Sequence, residues 1–159
     1  MADVTQWDKL ARALRELHRA LMERARGDYE REHLVALDAG QLLQLLTTDP
    51  HFEWLRGLSE LMVDIDIVRE VELSEPDVAT GVRAAVEHFV GAPRSGGADA
   101  FAQRYWPYVQ EDPHVAMAHA AVKQALGAWP RPQSEDAASL LHERHRLAEK
   151  ARHSSSRKR

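Results

Sequence analysis

The histidines are the residues of this chain best suited to chemistry. The sequence contains nine histidines and no cysteine, so a metal site would have to use imidazole nitrogens and carboxylate oxygens. Helical bundles that hold two metal ions use Glu-x-x-His on two helices together with further glutamates. The sequence offers one such pair within a predicted helix, Glu30 and His33. A second pair, Glu111 and His114, spans a predicted helix start, so the requirement is only half met.

Two other histidines fall on apolar helix faces. At about 100° per residue, His18 lies in the same stripe as Leu14, and His51 lies in the same stripe as Trp54. We interpret both as inward-facing side chains that hydrogen-bond to neighbouring groups, and no cofactor is favoured. The alternative is a metal-binding helical bundle, haemerythrin-like or ferritin-like, whose Fe, Mn or Zn ligands would be His18, His51, Glu30 and His33.

An Asp-Pro-His motif occurs twice, at residues 49–51 and 112–114. Aspartate is a favoured N-cap, and proline fits the first helical position because no backbone donor is needed there. Each motif is therefore predicted to start a helix, with its histidine at the second position. The positive end of the helix dipole disfavours a protonated imidazole at that position. The sequences around the two motifs do not align, which argues against an internal duplication.

Signals for a catalytic nucleophile are poor. Ser59 lies in the sequence GLSEL, which lacks the second glycine of a nucleophile elbow and falls within a predicted helix. Asp64 and Asp66 are two residues apart, so on a helix they diverge, and we interpret both as part of a solvated face. These observations favour a non-enzymatic protein.

Four aromatic residues form a candidate surface for a ligand or partner. Tyr105, Trp106 and Tyr108 cluster around Pro107, where a kink is expected because proline cannot donate to the helix ladder. Such clusters can line a groove for a peptide or small ligand, although at helical spacing they more commonly belong to a core. Trp129 is expected to be the more exposed member.

Apolar residues at spacings of three and four predict helices throughout, and no alternating strand pattern occurs. Helix starts are predicted at Asp38, Asp49, Ser74, Asp99, Asp112 and Ser134. Whether the N-terminal helix continues beyond Gly27 to His33 is left open by propensity. A helix from Pro50 to about Val71 is expected to be central, and the last helix is expected to reach about Arg152.

These elements predict an all-α, single-domain helical bundle of about six or seven helices over residues 1–152. A basic, disordered tail at residues 153–159 would follow. Residues 49–90 carry 3 basic and 10 acidic side chains, whereas residues 142–159 carry 7 basic and 2 acidic ones. Nucleic-acid binding requires a clustered basic face, so only the tail is a candidate for it.

The chain has no apolar run typical of a signal peptide or of a membrane span, and without cysteine it has no disulfides. We therefore expect a cytoplasmic protein with no membrane partner. The function most consistent with the sequence is a non-enzymatic interaction or ligand-binding module whose partner is a protein or a small ligand. The metal-binding bundle and nucleic-acid contact through the tail are the alternatives.

Overall fold

Seven α-helices make up most of the chain that the structure describes. It is a computed structural model, and it describes residues 3–70, 76–92 and 99–131. The helices are α1 (Val4–His33), α2 (Ala39–Thr48), α3 (Pro50–Glu53), α4 (Arg56–Glu70), α5 (Pro76–Val90), α6 (Ala100–Glu111) and α7 (Pro113–Leu126). These ranges contain no strand. The predicted all-α helical bundle is confirmed.

Aspartates begin several of these helices, as the sequence predicts. The Asp38 carboxylate accepts the backbone N–H of Gln41 at 2.8 Å, and the Gln41 side chain accepts the N–H of Asp38 at 3.0 Å. Asp49 and Asp112 each accept the N–H of the histidine two residues on, at 2.8 and 2.9 Å. The Asp-Pro-His motif is therefore a helix start in both places.

The first helix continues through Gly27, which settles the question left open by propensity. α1 is 30 residues long. Arg24 Nε donates to Asp28 at 3.3 Å, and Arg26 Nε donates to Glu30 at 3.1 Å. Ion pairs between residues four apart stabilise a helix, and Gly27 lies between the two partners of each of these pairs.

α1 ends at Leu34 in an unusual conformation. Leu34 has a φ of 54° and a ψ of 43°, and it is the only non-glycine residue in the described ranges with a positive φ. Its backbone N–H donates to the carbonyl of Glu30, and its side chain is 90% exposed. Neither conformational preference nor burial explains a leucine here.

The predicted central helix from Pro50 to about Val71 is wrong in one respect, because it is broken after α3. The Trp54 indole Nε1 donates to the His51 carbonyl at 3.0 Å. That carbonyl would otherwise accept the N–H of Leu55, which instead bonds to the Phe52 carbonyl at 3.1 Å. The shorter bond closes a tight turn, and α4 begins at Arg56.

α1, and not the α3–α4 segment, is the central element. It packs against α3, α4, α6 and α7, and most extensively against α7. Its inward stripe is fully buried and consists of Leu10, Leu14, Leu17, Leu21 and Ala25. The other helices contribute to the same apolar cluster, so every described region shares one core.

Several sequence predictions concern residues outside the described ranges. They are the helix start at Ser74, the last helix from Ser134 to about Arg152, and the basic tail at 153–159. The assignment of residues 1–152 to a single domain also stays a prediction. Among the described helices, none is long and apolar enough to cross a membrane.

Candidate functional site

The two inward histidines have protein partners on neighbouring helices. His18 Nε2 lies 2.9 Å from the Ser59 hydroxyl, which joins α1 to α4. His51 Nε2 lies 3.0 Å from the Ala25 carbonyl, where it donates a proton. Burial lowers the pKa of His18 below its ordinary value. Both imidazoles therefore tie another helix to α1.

The remaining candidate metal ligands are engaged elsewhere. Glu30 accepts the backbone N–H of Leu37 at 2.8 Å, which together with Arg26 lowers the pKa of Glu30. The exposed His33 ring stacks on Tyr29, with ring centroids 4.0 Å apart. Across the described part of the chain, no three histidine or carboxylate side chains form a group that could hold a metal ion.

The aromatic candidates lie mostly in the core and do not form an open surface. Tyr105 and Tyr108 are buried, and Trp106 is half-buried. The Tyr105 hydroxyl lies 2.6 Å from Nδ1 of His119, and burial raises the pKa of Tyr105. The Trp106 indole N–H is buried, and none of the described residues accepts a hydrogen bond from it. α6 continues through Pro107 as a helix.

The expectation that Trp129 is exposed is wrong, since it is only 2% exposed. Its ring packs edge-on against Trp7 with centroids 4.9 Å apart. The buried Arg83 guanidinium fixes this turn by donating to the Leu126 carbonyl at 2.9 Å and to the Trp129 carbonyl. Arg83, which lies on α5, thus holds the turn after α7 through carbonyl groups at the C-terminal end of that helix, where a cation also interacts favourably with the helix dipole.

Asp64 is also misassigned by the sequence, whereas Asp66 is exposed as expected. Asp64 is only 3% exposed. It lies on α4 between Leu61 and Val68, three and four residues away, and both of these are buried. The helical spacing itself therefore places Asp64 within the apolar stripe.

A charged cluster that the sequence analysis missed joins α1 to the junction of α6 and α7. Arg24 pairs with Asp28 at 3.3 Å, with Glu111 at 3.2 Å and with Asp112 at 3.6 Å. Its guanidinium carbon lies 5.0 Å from the centroid of the Tyr108 ring. The only sequence signal for this cluster is the spacing of four between Arg24 and Asp28.

Tyr108 is the most buried member of this cluster, and it contacts the partly buried Asp28. The Tyr108 hydroxyl donates to Asp28 Oδ2 at 2.6 Å. Burial, reinforced by this hydrogen bond, raises the pKa of Tyr108 to about 12. Partial burial opposes ionisation of Asp28, but the Tyr108 hydrogen bond and the Arg24 charge outweigh it and lower the pKa of Asp28. Asp28 is therefore held as a carboxylate.

An open groove lies beside this cluster, between α1 and α7, with a volume of about 680 Å³. The α1 side is lined by Glu16, Arg19, Ala20, Glu23, Arg24, Gly27 and Arg31. The α7 side is lined by Asp112, His114, Met117 and Ala118. Met117 is 72% exposed, which is high for a large apolar side chain.

Comparison with known proteins does not identify the chain: no protein-family model, curated protein or solved structure matches it. The fold and the site together define an all-α bundle with a charged groove among its described residues. Arguments about function therefore start from the side chains of that groove, since a fold alone does not specify function.

Proposed function

We propose that this chain is a non-enzymatic protein-interaction module whose α1–α7 groove binds an amphipathic helix of a partner protein. The observation that carries the proposal is Met117, a large apolar side chain that is 72% exposed and lines a concave surface. Methionine is a flexible, polarisable apolar side chain that is common at helix-binding protein surfaces. Helix-in-groove recognition uses such a side chain as an anchor contact.

The shape of the groove suits a helix. Its α1 wall extends from Glu16 to Arg31, fifteen residue steps that correspond to about 22 Å. A partner helix of about 15 residues has the same length. Ala20, Gly27 and Ala118 have small or no side chains, so a third helix can approach closely and pack at an interaxial distance of about 8–10 Å.

The charges along the groove favour a partner of mixed charge. Arg31 pairs with Asp28 within α1 and so has little net charge to offer. Arg19, Glu16 and Glu23 are exposed, and none of them has an ion-pair partner among the described residues. Exposed charges at the edge of an interface orient a partner more than they add affinity. Met117 therefore supplies the contact, and these three side chains set the direction of the helix.

The proposal can be tested with amphipathic helical peptides selected from a phage-displayed library on the full-length protein. The dissociation constant of each selected peptide is then measured for Met117→Glu and for Val63→Glu. Val63 is an exposed residue of α4 that does not line the groove, so it is a matched control. We expect at least a tenfold loss of affinity for Met117→Glu and no change for Val63→Glu. Peptides that bind wild type and Met117→Glu equally well would contradict the proposal.

A further inference from the structure

We infer that the α1–α7 face pairs with the same face of a second copy of this chain, in an antiparallel dimer with two-fold symmetry. The inference rests on the proposed function, because it uses the same groove and names the partner whose helices cover it. Its support comes from the exposed side of α7, from the order of the charges along α1, and from the area of the shared face.

The exposed side of α7 carries almost no charge. Lys123 is its only exposed lysine, arginine, aspartate or glutamate, although such residues make up 29% of the chain. In α1, by contrast, every exposed residue between Asp8 and Glu32 is one of these four types. The other exposed residues of α7 are Pro113, His114, Met117, Ala120, Ala121 and Gln124. Depletion of charge is typical of the centre of a protein interface.

The α1 side of the same face carries charges of alternating sign. Four exposed residues at spacings of four, three and four form one stripe along the helix, namely Arg12, Glu16, Arg19 and Glu23. None of the four has an ion-pair partner among the described residues. The lining of the groove is balanced in net charge, so the order of the signs, and not their sum, decides which partner fits.

This order of charges is complementary to itself when two copies of α1 run in opposite directions. With a two-fold axis midway between Glu16 and Arg19, Glu16 lies opposite Arg19 of the second copy. The same axis places Arg12 opposite Glu23 of the second copy. A parallel pairing in register would instead place each side chain opposite its own copy, where like charges repel. The stripe therefore favours an antiparallel second copy.

The complementary charges are confined to the middle of α1. They lie within about 8 Å of the axis along the helix. The next charges outward, Lys9 and Arg26, are of like sign, but Arg26 pairs with Glu30 of its own helix at 3.1 Å. These two lie about 13 Å from the axis, where helices that cross at about 20° have begun to diverge. The repulsion between them is therefore weak.

The same axis brings Met117 close to its own copy. α7 runs antiparallel to α1, because Asp112 lies beside Arg24 while Trp129 packs against Trp7. Counting five residues on from Asp112 and five back from Arg24 places Met117 about 2 Å along the helix from the axis. The second copy of Met117 lies equally far on the other side. The most exposed apolar side chain of α7 thus lies at the centre of the dimer interface, where anchor residues are usually found.

The area of the face fits a reversible dimer. α7 is 14 residues long, which corresponds to about 21 Å, and two packed helices are about 20–22 Å wide. The flat area is therefore roughly 450 Å² on each chain and roughly 900 Å² in total. Specific interfaces below about 1,200 Å² belong to weak, transient complexes. We expect a dimer that dissociates at micromolar concentration.

Charge reversal tests the register of the dimer. Sedimentation equilibrium of the full-length protein at low ionic strength gives the dissociation constant of wild type, of Glu16→Arg, of Arg19→Glu and of the two changes combined. Each single reversal places like charges opposite each other twice in the dimer, so we expect the dissociation constant to rise at least tenfold. The combined variant restores opposite signs and the net charge of wild type, so its dissociation constant should return close to the wild-type value.

Glu60→Arg is the matched control for these reversals. Glu60 is exposed on α4, outside the α1–α7 face, and the substitution changes the net charge as Glu16→Arg does. We expect it to leave the dissociation constant of the dimer unchanged. A protein that stays monomeric at every concentration, or a dimer that responds equally to Glu16→Arg and Glu60→Arg, would overturn the inference.

A single cysteine tests the position of the axis. The natural sequence contains no cysteine, so Met117→Cys has one thiol in each chain. We expect it to oxidise to an intermolecular disulfide at least ten times faster than Val63→Cys at the same protein concentration. Val63 is exposed on α4 and does not line the groove. Equal rates for the two variants would overturn the inference.

Peptide binding separates this inference from the proposed function. Helical peptides selected for the groove use the same face as the second copy, so they should convert the dimer to monomers. A monomeric protein that binds such peptides through Met117 would overturn the inference, while the proposed function stands. A dimer that cross-links through Met117→Cys, together with no peptide whose binding depends on Met117, would support the inference. It would overturn the proposed binding of other proteins and restrict the groove to self-association.

Discussion

At the scale of single residues, the most specific contact is the hydrogen bond between Tyr108 and Asp28. It joins residues 80 positions apart in the sequence, so no local pattern predicts it. In the sequence, Asp28 follows a glycine and is expected to weaken the helix. In the structure, its carboxylate accepts a hydrogen bond from the Tyr108 hydroxyl and pairs with the Arg24 guanidinium. The Tyr108 hydroxyl and the Arg24 guanidinium both stabilise the charged form of Asp28, and their effect is stronger because this carboxylate is partly removed from water.

Tyr108→Phe removes the hydroxyl and leaves the ring packing intact. We expect the free energy of unfolding to fall by about 1.5–3 kcal/mol, the usual contribution of a hydrogen bond to a charged group. Tyr29→Phe is the matched control, since no hydrogen bond of its hydroxyl occurs among the described residues and its change should stay within about 0.5 kcal/mol. Chemical denaturation measures both. An equal effect of the two substitutions would show that the Tyr108 hydroxyl contributes nothing specific.

At the scale of helices, the end of α1 is the least conventional feature. A leucine in the left-handed region costs about 1–2 kcal/mol relative to glycine, which favours this position at a helix end. The Leu34 side chain is 90% exposed, so it recovers none of that cost by burial. The described structure therefore predicts that a substitution of Leu34 can increase the stability of the protein.

Leu34→Gly should raise the free energy of unfolding by about 0.5–1 kcal/mol. Relief of the backbone strain exceeds the added entropy of the unfolded chain, which costs about 0.4–1 kcal/mol. Leu43→Gly is the control, because Leu43 is also exposed but lies inside α2, where glycine costs about 1 kcal/mol. Thermal unfolding of the two variants should shift in opposite directions. A lower melting temperature for Leu34→Gly would mean that Leu34 has a stabilising contact.

The helices were predictable to the extent that local interactions determine them. Asp38, Asp49 and Asp112 are adjacent to the helices that they cap, so their sequence neighbourhood contains the whole signal. The break after α3 coincides with one indole hydrogen bond, and the turn at Trp129 is held by Arg83 from another helix. Contacts of this kind are fixed by packing, which the spacing of apolar residues does not specify. The groove escaped prediction for the same reason, since it exists only where α1 meets α7.

At the scale of the whole molecule, partly buried histidines make stability depend on pH. Burial lowers the pKa of His18, and burial together with Lys123 lowers the pKa of His119. The unfolded chain therefore binds more protons than the folded one as the pH falls below about 6.5. Stability decreases with acidity from that point until the folded pKa values are passed. Asp28, whose folded pKa is lowered, adds a further loss only below about pH 4.

We expect the urea midpoint of wild type to be lower at pH 5.5 than at pH 7.5. Each of these two histidines changes the free energy of unfolding by at most about 1.4 kcal/mol per pH unit, and partial exposure makes the observed change smaller. His18→Gln combined with His119→Gln should remove most of the difference, because glutamine does not titrate. His33→Gln, at an exposed position, is the control for the histidine-to-glutamine change itself. A wild-type urea midpoint that is the same at both pH values would contradict the assignment of the pH dependence to His18 and His119.

The pairing of α1 with α7 also governs the order in which the chain can fold during synthesis. A ribosome makes the apolar stripe of α1 first, yet the partner that covers it most extensively begins at Pro113. Translation at about 5–20 residues per second separates the two by about 4–16 s. The interval between synthesis of Trp7 and synthesis of Trp129, whose rings are in contact, is longer still. During that interval the stripe of leucines lacks the helix that covers it most, and transiently exposed apolar surface of this kind is prone to aggregate before it becomes the centre of the bundle.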